Sequence, residues 1–264
     1  MSKTILITGA TDGIGLETAK ALVADGHRVL IHGRNASKLE AAAAQIGGHT
    51  EPYLADMSRM DEVDAMATAL LAAHSRLDVL INNAGVLKAP VTQTPEGFDL
   101  RFVVNTLSPY HLAQRLLPIM TGDARVVNLS SAAQARVNVT AMAGQGQLAD
   151  MDAYAQSKLA ITIWSREMAK SLPDGPVVVA VNPGSLLASK MVKEGFGIGG
   201  NDLGIGVDIL CRAALSDEFS NRSGAYFDND SGRFSDPHEA ALDPAHSASV
   251  MQAVTDGVAS LING

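Results

Sequence analysis

The chain alternates between short, almost entirely apolar runs and longer segments whose apolar residues recur every three or four positions. Short runs that are apolar throughout are typical of strands covered on both faces in a parallel sheet. The longer segments have the spacing of amphipathic helices. This alternation predicts an α/β fold with one doubly wound parallel sheet of about seven strands and helices on both faces. The predicted strands cover residues 3–8, 27–32, 51–55, 77–81, 125–129, 176–181 and 225–227.

A glycine-rich turn follows the first predicted strand and opens the first predicted helix. It reads Gly9-Ala10-Thr11-Asp12-Gly13-Ile14-Gly15. Strand, glycine-rich turn and helix in this order are typical of the first unit of a dinucleotide-binding Rossmann fold. Gly9 permits the tight turn, Gly13 lets the backbone approach a pyrophosphate, and Gly15 allows the helix to pack closely on the strand. The helix N-terminus then offers unpaired N–H groups to the phosphates.

The end of the second predicted strand bears on the choice between NAD and NADP. An acidic residue there commonly holds the ribose 2′-hydroxyl of NAD, but this chain has Gly33-Arg34-Asn35 instead. The planar guanidinium of Arg34 suits a 2′-phosphate, although a surface arginine in a loop is the alternative. Asp12 in the glycine-rich turn does not help to bind a phosphate. We favour NADP(H) as the cofactor, with NAD(H) as the alternative.

Polar residues and glycines follow other strands, and ligands bind at such strand ends in parallel sheets. Asp56-Met57 follows the third strand, where the carboxylate either accepts a hydrogen bond from an adenine amino group or caps the next helix. Asn82-Asn83-Ala84-Gly85 follows the fourth strand and suits a close approach to a ribose. Pro183-Gly184 comes after the sixth strand.

Tyr154 and Lys158 lie one turn apart on the same face of a predicted helix. A free tyrosine has a pKa of about 10, and a nearby cation favours the phenolate and lowers that pKa. Such a pair can move a proton near neutral pH. The alternative is an exposed helix turn with an amphipathic tyrosine and a lysine that reaches into solvent.

Asn105 lies inside a long predicted helix over residues 96–120, which we expect to be interrupted near Pro109. Asparagine is unfavourable in a helix interior because its side chain competes for backbone hydrogen bonds. Asn105 therefore indicates a local kink or a water site, with a surface position as the alternative.

Composition limits the other function classes. The 264 residues, without repeat or linker, predict a single domain over 1–264. A net charge of -8 argues against nucleic-acid binding, and no apolar run is long enough for a membrane span. The single cysteine, Cys211, excludes a disulfide framework and fits a cytoplasmic location. The seven histidines lack metal-ligand spacing, so we expect no metal site.

Taken in order, the motifs resemble the short-chain dehydrogenase/reductase family over roughly residues 3–190. The resemblance implies that Tyr154 is the acid-base residue and that Lys158 lowers its pKa and holds the nicotinamide ribose. It also implies that a serine after the fifth strand stabilises the substrate oxygen. Ser130 and Ser131 are both candidates, and Ser131 is chosen because the second serine usually serves in this family. Asn105 matches the asparagine that holds a relay water, and family members commonly form homodimers or homotetramers.

Two segments depart from the family pattern. Residues 132–150 form a longer Ser-to-Tyr loop than usual, resembling the retinol dehydrogenase and protochlorophyllide reductase-like members, and we expect this loop to line the substrate pocket. The threonine that holds the nicotinamide carboxamide is replaced by Ala188, with Ser189 as a substitute. The glycine-rich segment 185–206 is expected to border the substrate as well.

The resemblance therefore implies hydride transfer between NADP(H) and a carbonyl/alcohol pair. The Met, Leu, Val and Ala residues of 132–150 and 185–206 indicate a partly apolar small-molecule substrate. The alternative is a non-catalytic dinucleotide-binding sensor or scaffold of the same fold. Such proteins often lack the tyrosine or the lysine, and this chain has both Tyr154 and Lys158.

Overall fold

The computed structural model describes residues 2–188, 197 and 199–263, which form one eight-stranded sheet with helices on both faces. The strands are β1 (Thr4–Ile7), β2 (Arg28–Gly33), β3 (Thr50–Leu54), β4 (Val79–Asn82), β5 (Arg125–Leu129), β6 (Val177–Asn182), β7 (Tyr226–Asp228) and β8 (Arg233–Ser235). The described helices are α1 (Gly13–Ala24), α2 (Ala36–Ile46), α3 (Met60–Ala73), α4 (Leu100–Phe102), α5 (Ser108–Leu116), α6 (Val139–Met142), α7 (Asp150–Ser171), α8 (Leu203–Leu215) and α9 (Pro244–Asn263).

The strand order is β3-β2-β1-β4-β5-β6-β7-β8. All neighbouring pairs from β3 to β7 are parallel, and β8 pairs antiparallel with β7. This confirms the predicted α/β fold with a doubly wound, mostly parallel sheet. The chain reverses its direction across the sheet between β1 and β4, which opens a crevice beyond the carboxyl ends of these strands.

The apolar side chains of each strand alternate between two cores, one on each face of the sheet. In β1, Ile5 and Ile7 pack with α1, α2 and α8, whereas Leu6 packs with α3, α5, α7 and α9. All three side chains have no exposed surface. The strands β1, β4 and β6 are largely apolar because both of their faces are covered.

The long predicted helix over 96–120 begins at Leu100 and is interrupted close to Pro109. A π-helical turn, Val103–Leu107, separates α4 from α5 and contains Asn105. Pro109 lies two residues after this turn, in a backbone that is helical throughout the junction, and it has no N–H to donate to the preceding turn. The extra residue of the π turn and Pro109 therefore both interrupt the regular α-helical hydrogen bonds here.

No helix within 2–188 or 199–263 combines the length and apolar character needed to cross a bilayer.

Candidate active site

A cavity of about 770 Å³ lies at the carboxyl ends of the parallel strands. Its size is typical of a small-molecule site. Most of the predicted site residues line it, and they come from elements far apart in the sequence. These residues are Gly9, Thr11, Asp12, Gly13, Ile14, Gly15, Arg34, Asn35, Asp56, Met57, Asn83, Ala84, Gly85, Ser131, Tyr154, Lys158, Pro183 and Gly184.

The glycine-rich turn is packed too tightly for side chains. Gly9 has φ +67°, and a Cβ on it would lie 2.9 Å from the Cα of Ala84. A Cβ on Gly15 would lie 2.4 Å from Nδ2 of Asn83 and 2.5 Å from the carbonyl oxygen of Gly9. The absence of these Cβ atoms leaves a backbone-lined cradle at the N-terminus of α1. Such a cradle fits the pyrophosphate of a dinucleotide.

Asn83 holds the glycine-rich turn in place. Its Nδ2 donates hydrogen bonds to the carbonyl oxygens of Thr8 (2.8 Å) and Gly9 (3.0 Å). The hydroxyl of Thr8 in turn accepts from the main-chain N–H groups of Asn83 and Ala84. The amide expected beside a ribose therefore also fastens the end of β4 to the end of β1.

Two exposed basic side chains line the cavity beyond β2. Arg34 was expected from the sequence, but Lys38 was not. Asn35 caps α2 by accepting a hydrogen bond from the main-chain N–H of Lys38 at 3.0 Å, so Lys38 lies in the first turn of that helix. The signal in the sequence was a second basic residue four positions after Arg34. Together the two cations favour a doubly charged phosphate at this end of the cavity.

Two acidic side chains at this end already have protein partners. Asp12 caps α1 and accepts a hydrogen bond from the N–H of Gly13 at 2.8 Å. Asp56 accepts from both the N–H (2.9 Å) and the hydroxyl (2.8 Å) of Ser58 through the same oxygen. Asp56 thus closes the turn before α3, while the N-cap position itself is Arg59.

The two consecutive serines after β5 have different surroundings. Ser130 is buried, and its hydroxyl contacts the carbonyl oxygen of Lys158 (3.1 Å) and the hydroxyl of Thr162 (2.7 Å). The hydroxyl of Ser131, unlike that of Ser130, hydrogen-bonds to the phenol of Tyr154 and acts to lower its pKa. Ser131 is therefore better placed than Ser130 to meet a substrate oxygen.

Tyr154 and Lys158 face the cavity from α7. Burial raises the pKa of Tyr154, and the hydroxyl of Ser131 opposes that shift. The pair alone led us to expect a lowered pKa. The ammonium of Lys158 instead lies 5.7 Å from the centre of the tyrosine ring and donates to the carbonyl oxygen of Leu129 at 2.7 Å. Burial lowers the pKa of Lys158 to about 8.

Asn105 lies beneath the cavity rather than in its lining. Its Oδ1 accepts from the N–H of Val86 at 2.8 Å. Its Nδ2 donates to the carbonyl oxygen of Val86 (3.0 Å) and to the hydroxyl of Ser157 (2.9 Å). The side chain therefore links the loop after β4 to α7, and its role in holding a relay water stays a prediction.

The segment after β6 is held by a carboxylate from the β7–β8 hairpin. Asp230 accepts from the N–H (2.7 Å) and the hydroxyl (2.5 Å) of Ser185 and from Nδ2 of Asn182 (2.9 Å). Burial acts to raise the pKa of Asp230, but these hydrogen bonds outweigh it and the pKa is lowered. Pro183 and Gly184 lie between these anchors. Ser189, the expected substitute for the missing threonine, lies outside the described residues.

Comparison with known proteins agrees with this geometry. The family model described as short chain dehydrogenase matches residues 3–196. This chain belongs to the short chain dehydrogenase family. The members of this family are NAD(P)-dependent oxidoreductases.

Individual relatives of this short chain dehydrogenase include mouse retinol dehydrogenase 12, which is 39% identical over 196 residues. That match covers 70% of this chain and 62% of the relative, so the chain spans less than two thirds of that protein's length. A solved structure of an uncharacterized protein from Mycobacterium paratuberculosis is 27% identical, with a TM-score of 0.81 over 97% of this chain and 93% of the other. A short chain dehydrogenase from Shigella flexneri complexed with NADP is also 27% identical, with a TM-score of 0.69 over 86% of this chain and 97% of the other.

The remaining wall of the cavity is mostly apolar. Val86 and Leu87 contribute from the loop after β4, Met151 from α7, and Leu186 from the segment after β6. Lys88 lies exposed beside them. The sequence pattern did not single out these residues individually. Apart from Met151 they lie in loops, where no periodicity shows which way a side chain points.

The long Ser-to-Tyr loop contributes only its first residues to the cavity. From residues 132–150, only Ala132 and Ala133 line it. Farther along, Val137 and Met142 are buried in the same core as α9. The loop therefore lines the cavity at its first two residues, while its later apolar residues pack against the C-terminal helix.

Among the residues that the structure describes, no group of three or more His, Cys, Asp or Glu side chains is placed to hold a metal ion.

Proposed function

We propose that this chain is an NAD(P)(H)-dependent oxidoreductase that transfers hydride between the nicotinamide and a carbonyl/alcohol substrate. One observation carries the proposal: Ser131, Tyr154 and Lys158 line the same cavity as the glycine-rich turn. A dinucleotide on the turn and a substrate at Tyr154 would therefore share one space. The test is oxidation of NADPH and of NADH by the purified chain with a panel of aldehydes and ketones.

When bound, the nicotinamide supplies or accepts the hydride. In the reduction direction, Tyr154 donates its proton to the carbonyl oxygen, and its raised pKa keeps it protonated at neutral pH. Ser131 donates a hydrogen bond to the same oxygen as negative charge develops there. Lys158 is a cation below a pH of about 8 and stabilises negative charge on the phenol oxygen as the proton leaves. In the oxidation direction Tyr154 takes the proton back.

NADP(H) is the cofactor that we favour. Arg34 and Lys38 both line the cavity at the end beyond β2, and neither has a carboxylate within 4.0 Å among the described residues. Two unpaired cations there would bind a 2′-phosphate, whereas a ribose 2′-hydroxyl would leave them without an anionic partner. The NADP complex of the similar Shigella flexneri protein is consistent with this choice.

Replacing Arg34 with Ala is expected to weaken NADPH binding about tenfold to a hundredfold and to leave NADH binding within about twofold, because a charged hydrogen-bonded contact is lost only with the 2′-phosphate. Titration of the fluorescence of each reduced cofactor measures both affinities. Arg28→Ala is the matched control, since Arg28 lies at the other end of β2 and pairs with Glu51 at 3.1 Å. Equal losses for NADPH and NADH would contradict the preference for NADP.

Cofactor binding is expected to weaken as the pH rises through about 8, where Lys158 loses its charge. The sign follows from the lowered pKa: below it the folded chain carries the cation, and above it the amine is neutral. A charged donor binds ribose hydroxyls more strongly than a neutral one, by about fivefold in affinity. Calorimetric titration of NADP⁺ between about pH 7 and about pH 9.5 measures the effect. The dependence is expected to persist in Lys170→Met, on the exposed side of α7, and to vanish in Lys158→Met.

The substrate that we propose is a small, partly apolar aldehyde, ketone or alcohol. Val86, Leu87, Met151 and Leu186 offer apolar surface beside Tyr154. The similarity to retinol dehydrogenase 12 favours long apolar alcohols and aldehydes within this class. The panel therefore includes retinal, medium-chain aldehydes and short polar aldehydes, and a preference for the short polar ones would contradict the apolar assignment. Binding of NADPH without oxidation by any carbonyl would favour the sensor or scaffold instead.

A homodimer or homotetramer remains our proposal on the strength of the family resemblance, and a cytoplasmic location remains our proposal on the strength of the single cysteine. Light scattering of the purified chain tests the first, and fractionation of cells expressing it tests the second.

A further inference from the structure

We propose that His32 is a positioning residue for the cofactor, because its imidazole joins the glycine-rich turn to the end of β3. The proposal rests on the proposed function, in which that turn holds NAD(P). His32 is the next-to-last residue of β2, is 2% exposed and lines the cavity. The sequence pattern gave it no role beyond a structural or surface histidine.

The two ring nitrogens of His32 have partners of opposite kind. The main-chain N–H of Gly9 donates to Nδ1 at 3.0 Å. Nε2 lies 2.9 Å from the carbonyl oxygen of Ala55. An N–H group can only donate and a carbonyl oxygen can only accept, so the ring is neutral with its proton on Nε2. The main-chain carbonyl of His32 also accepts from the N–H of Ala10 at 2.9 Å. One residue thus fixes two consecutive N–H groups of the turn.

Through these bonds the ring holds two segments that border the cavity, the glycine-rich turn and the end of β3. At φ +67° the backbone of Gly9 leaves the extended path of β1, so the ladder with the neighbouring strands does not satisfy its N–H. Nδ1 supplies the missing acceptor. On the other side, Ala55 directly precedes Asp56, which lines the cavity at the end beyond β3. Loss of the ring would therefore release the phosphate-binding turn and the end of β3 together.

Protonation would reverse this arrangement, because a charged ring carries N–H groups on both nitrogens and Nδ1 would then face the N–H of Gly9. Asp56 after β3 is the charged group that acts on the pKa of the ring. The other charged side chains that line the same cavity are Asp12, Arg34, Lys38, Lys88 and Lys158. Burial is the largest cause of a lowered pKa for His32, opposed by Ala55 and Asp56. The bond to Gly9 is therefore complete above pH 6.5 and is lost as the pH falls through the lowered pKa.

Two variants separate the two ring bonds. In His32→Asn the side-chain oxygen lies near the place of Nδ1 and accepts from Gly9, without a group that titrates. In His32→Gln the side-chain amide reaches the place of Nε2 and donates to Ala55, but leaves Gly9 without an acceptor. Calorimetry with NADP⁺ at neutral pH is expected to show His32→Asn within about threefold of the unmodified chain and His32→Gln at least about tenfold weaker. Equal affinities of the two variants would overturn the proposal. Melting temperatures that fall in parallel with the affinities for NADP⁺ would also overturn it.

The pH profile supplies the second readout. As the pH falls below 6.5 and through the lowered pKa of His32, the unmodified chain is expected to lose affinity for NADP⁺ faster than His32→Asn does. The 2′-phosphate itself titrates near about pH 6, but equally for both proteins, so the difference between them reports His32. A constant difference would overturn the proposal.

Nitrogen NMR of the unmodified chain tests the same assignment without any variant. We expect a neutral His32 ring with its proton on Nε2 at neutral pH, and a ring protonated on Nδ1 would overturn the proposal. Failure of the unmodified chain to bind NADP⁺ or NAD⁺ at all is a different outcome, which would overturn the proposed function and with it this role of His32.

Discussion

Tyr154→Phe is expected to lower kcat about a thousandfold while the affinity for NADPH changes by no more than about twofold. The substitution removes one hydroxyl, the group that gives its proton to the substrate oxygen, and keeps the ring that packs beside Lys158. Stopped-flow or steady-state oxidation of NADPH with the best carbonyl of the panel gives kcat, and fluorescence titration gives the affinity.

Tyr110→Phe is the matched control for this experiment. Tyr110 packs edge-on against Trp164, and its hydroxyl is paired with Gln114 at 3.3 Å, outside the cavity lining. The control is expected to keep kcat within about twofold. Full activity in Tyr154→Phe would show that another group moves the proton, whereas loss of both activity and NADPH binding would point to misfolding of α7.

Gly15→Ala is expected to weaken NADPH binding about tenfold to a hundredfold, a cost of about 1–3 kcal/mol for forcing an extra methyl into a packed site. The new Cβ would lie 2.4 Å from Nδ2 of Asn83 and 2.5 Å from the carbonyl oxygen of Gly9. Both neighbours belong to the hydrogen bonds that hold the turn, so relief of the clash displaces the turn itself. Isothermal titration with NADPH measures the loss.

Ala24→Ser is the control for Gly15→Ala. It adds one heavy atom to an exposed position at the other end of α1. NADPH affinity is expected to be unchanged there, and melting temperatures of both variants show whether the fold is intact. Retention of full affinity in Gly15→Ala would mean that the cofactor does not depend on the close contact between the turn and Asn83.

The fold was largely predictable because its strands are buried on both faces. Runs such as residues 176–181, Pro-Val-Val-Val-Ala-Val, are apolar enough to be recognised without any partner, and β6 lies within one residue of the predicted bounds. The strand β8 was not predictable in the same way. Arg233–Ser235 has one apolar residue, Phe234, and it is held by pairing with β7 and by aromatic contacts to Phe219 and Phe227. Those interactions are made by residues distant in sequence.

The candidate site was predictable as a set of residues but not in its electrostatics. Spacing placed Tyr154 and Lys158 on one helix face, and the cavity contains both. Whether the pKa of the tyrosine rises or falls depends on how deeply both groups are buried. It also depends on the hydrogen bond from the ammonium of Lys158 to the carbonyl oxygen of Leu129. Neither the burial nor this bond is encoded in a local sequence pattern. The roles of Lys38 and His32 were missed for a related reason. Each role depends on which strand end or helix end lies next to the residue in the folded chain.

The packing of the long Ser-to-Tyr loop against α9 has a consequence for engineering substrate preference. Val137 and Met142 share a core with Val250 and Val254 of α9, and Arg136 pairs with Asp243 just before that helix at 3.3 Å. A chimera that exchanges the whole loop with a homologue would remove the contacts between this loop and the C-terminal helix unless that helix is exchanged too. Changes confined to Ala132 and Ala133, together with residues 86–88, reshape the pocket wall and leave this joint packing intact.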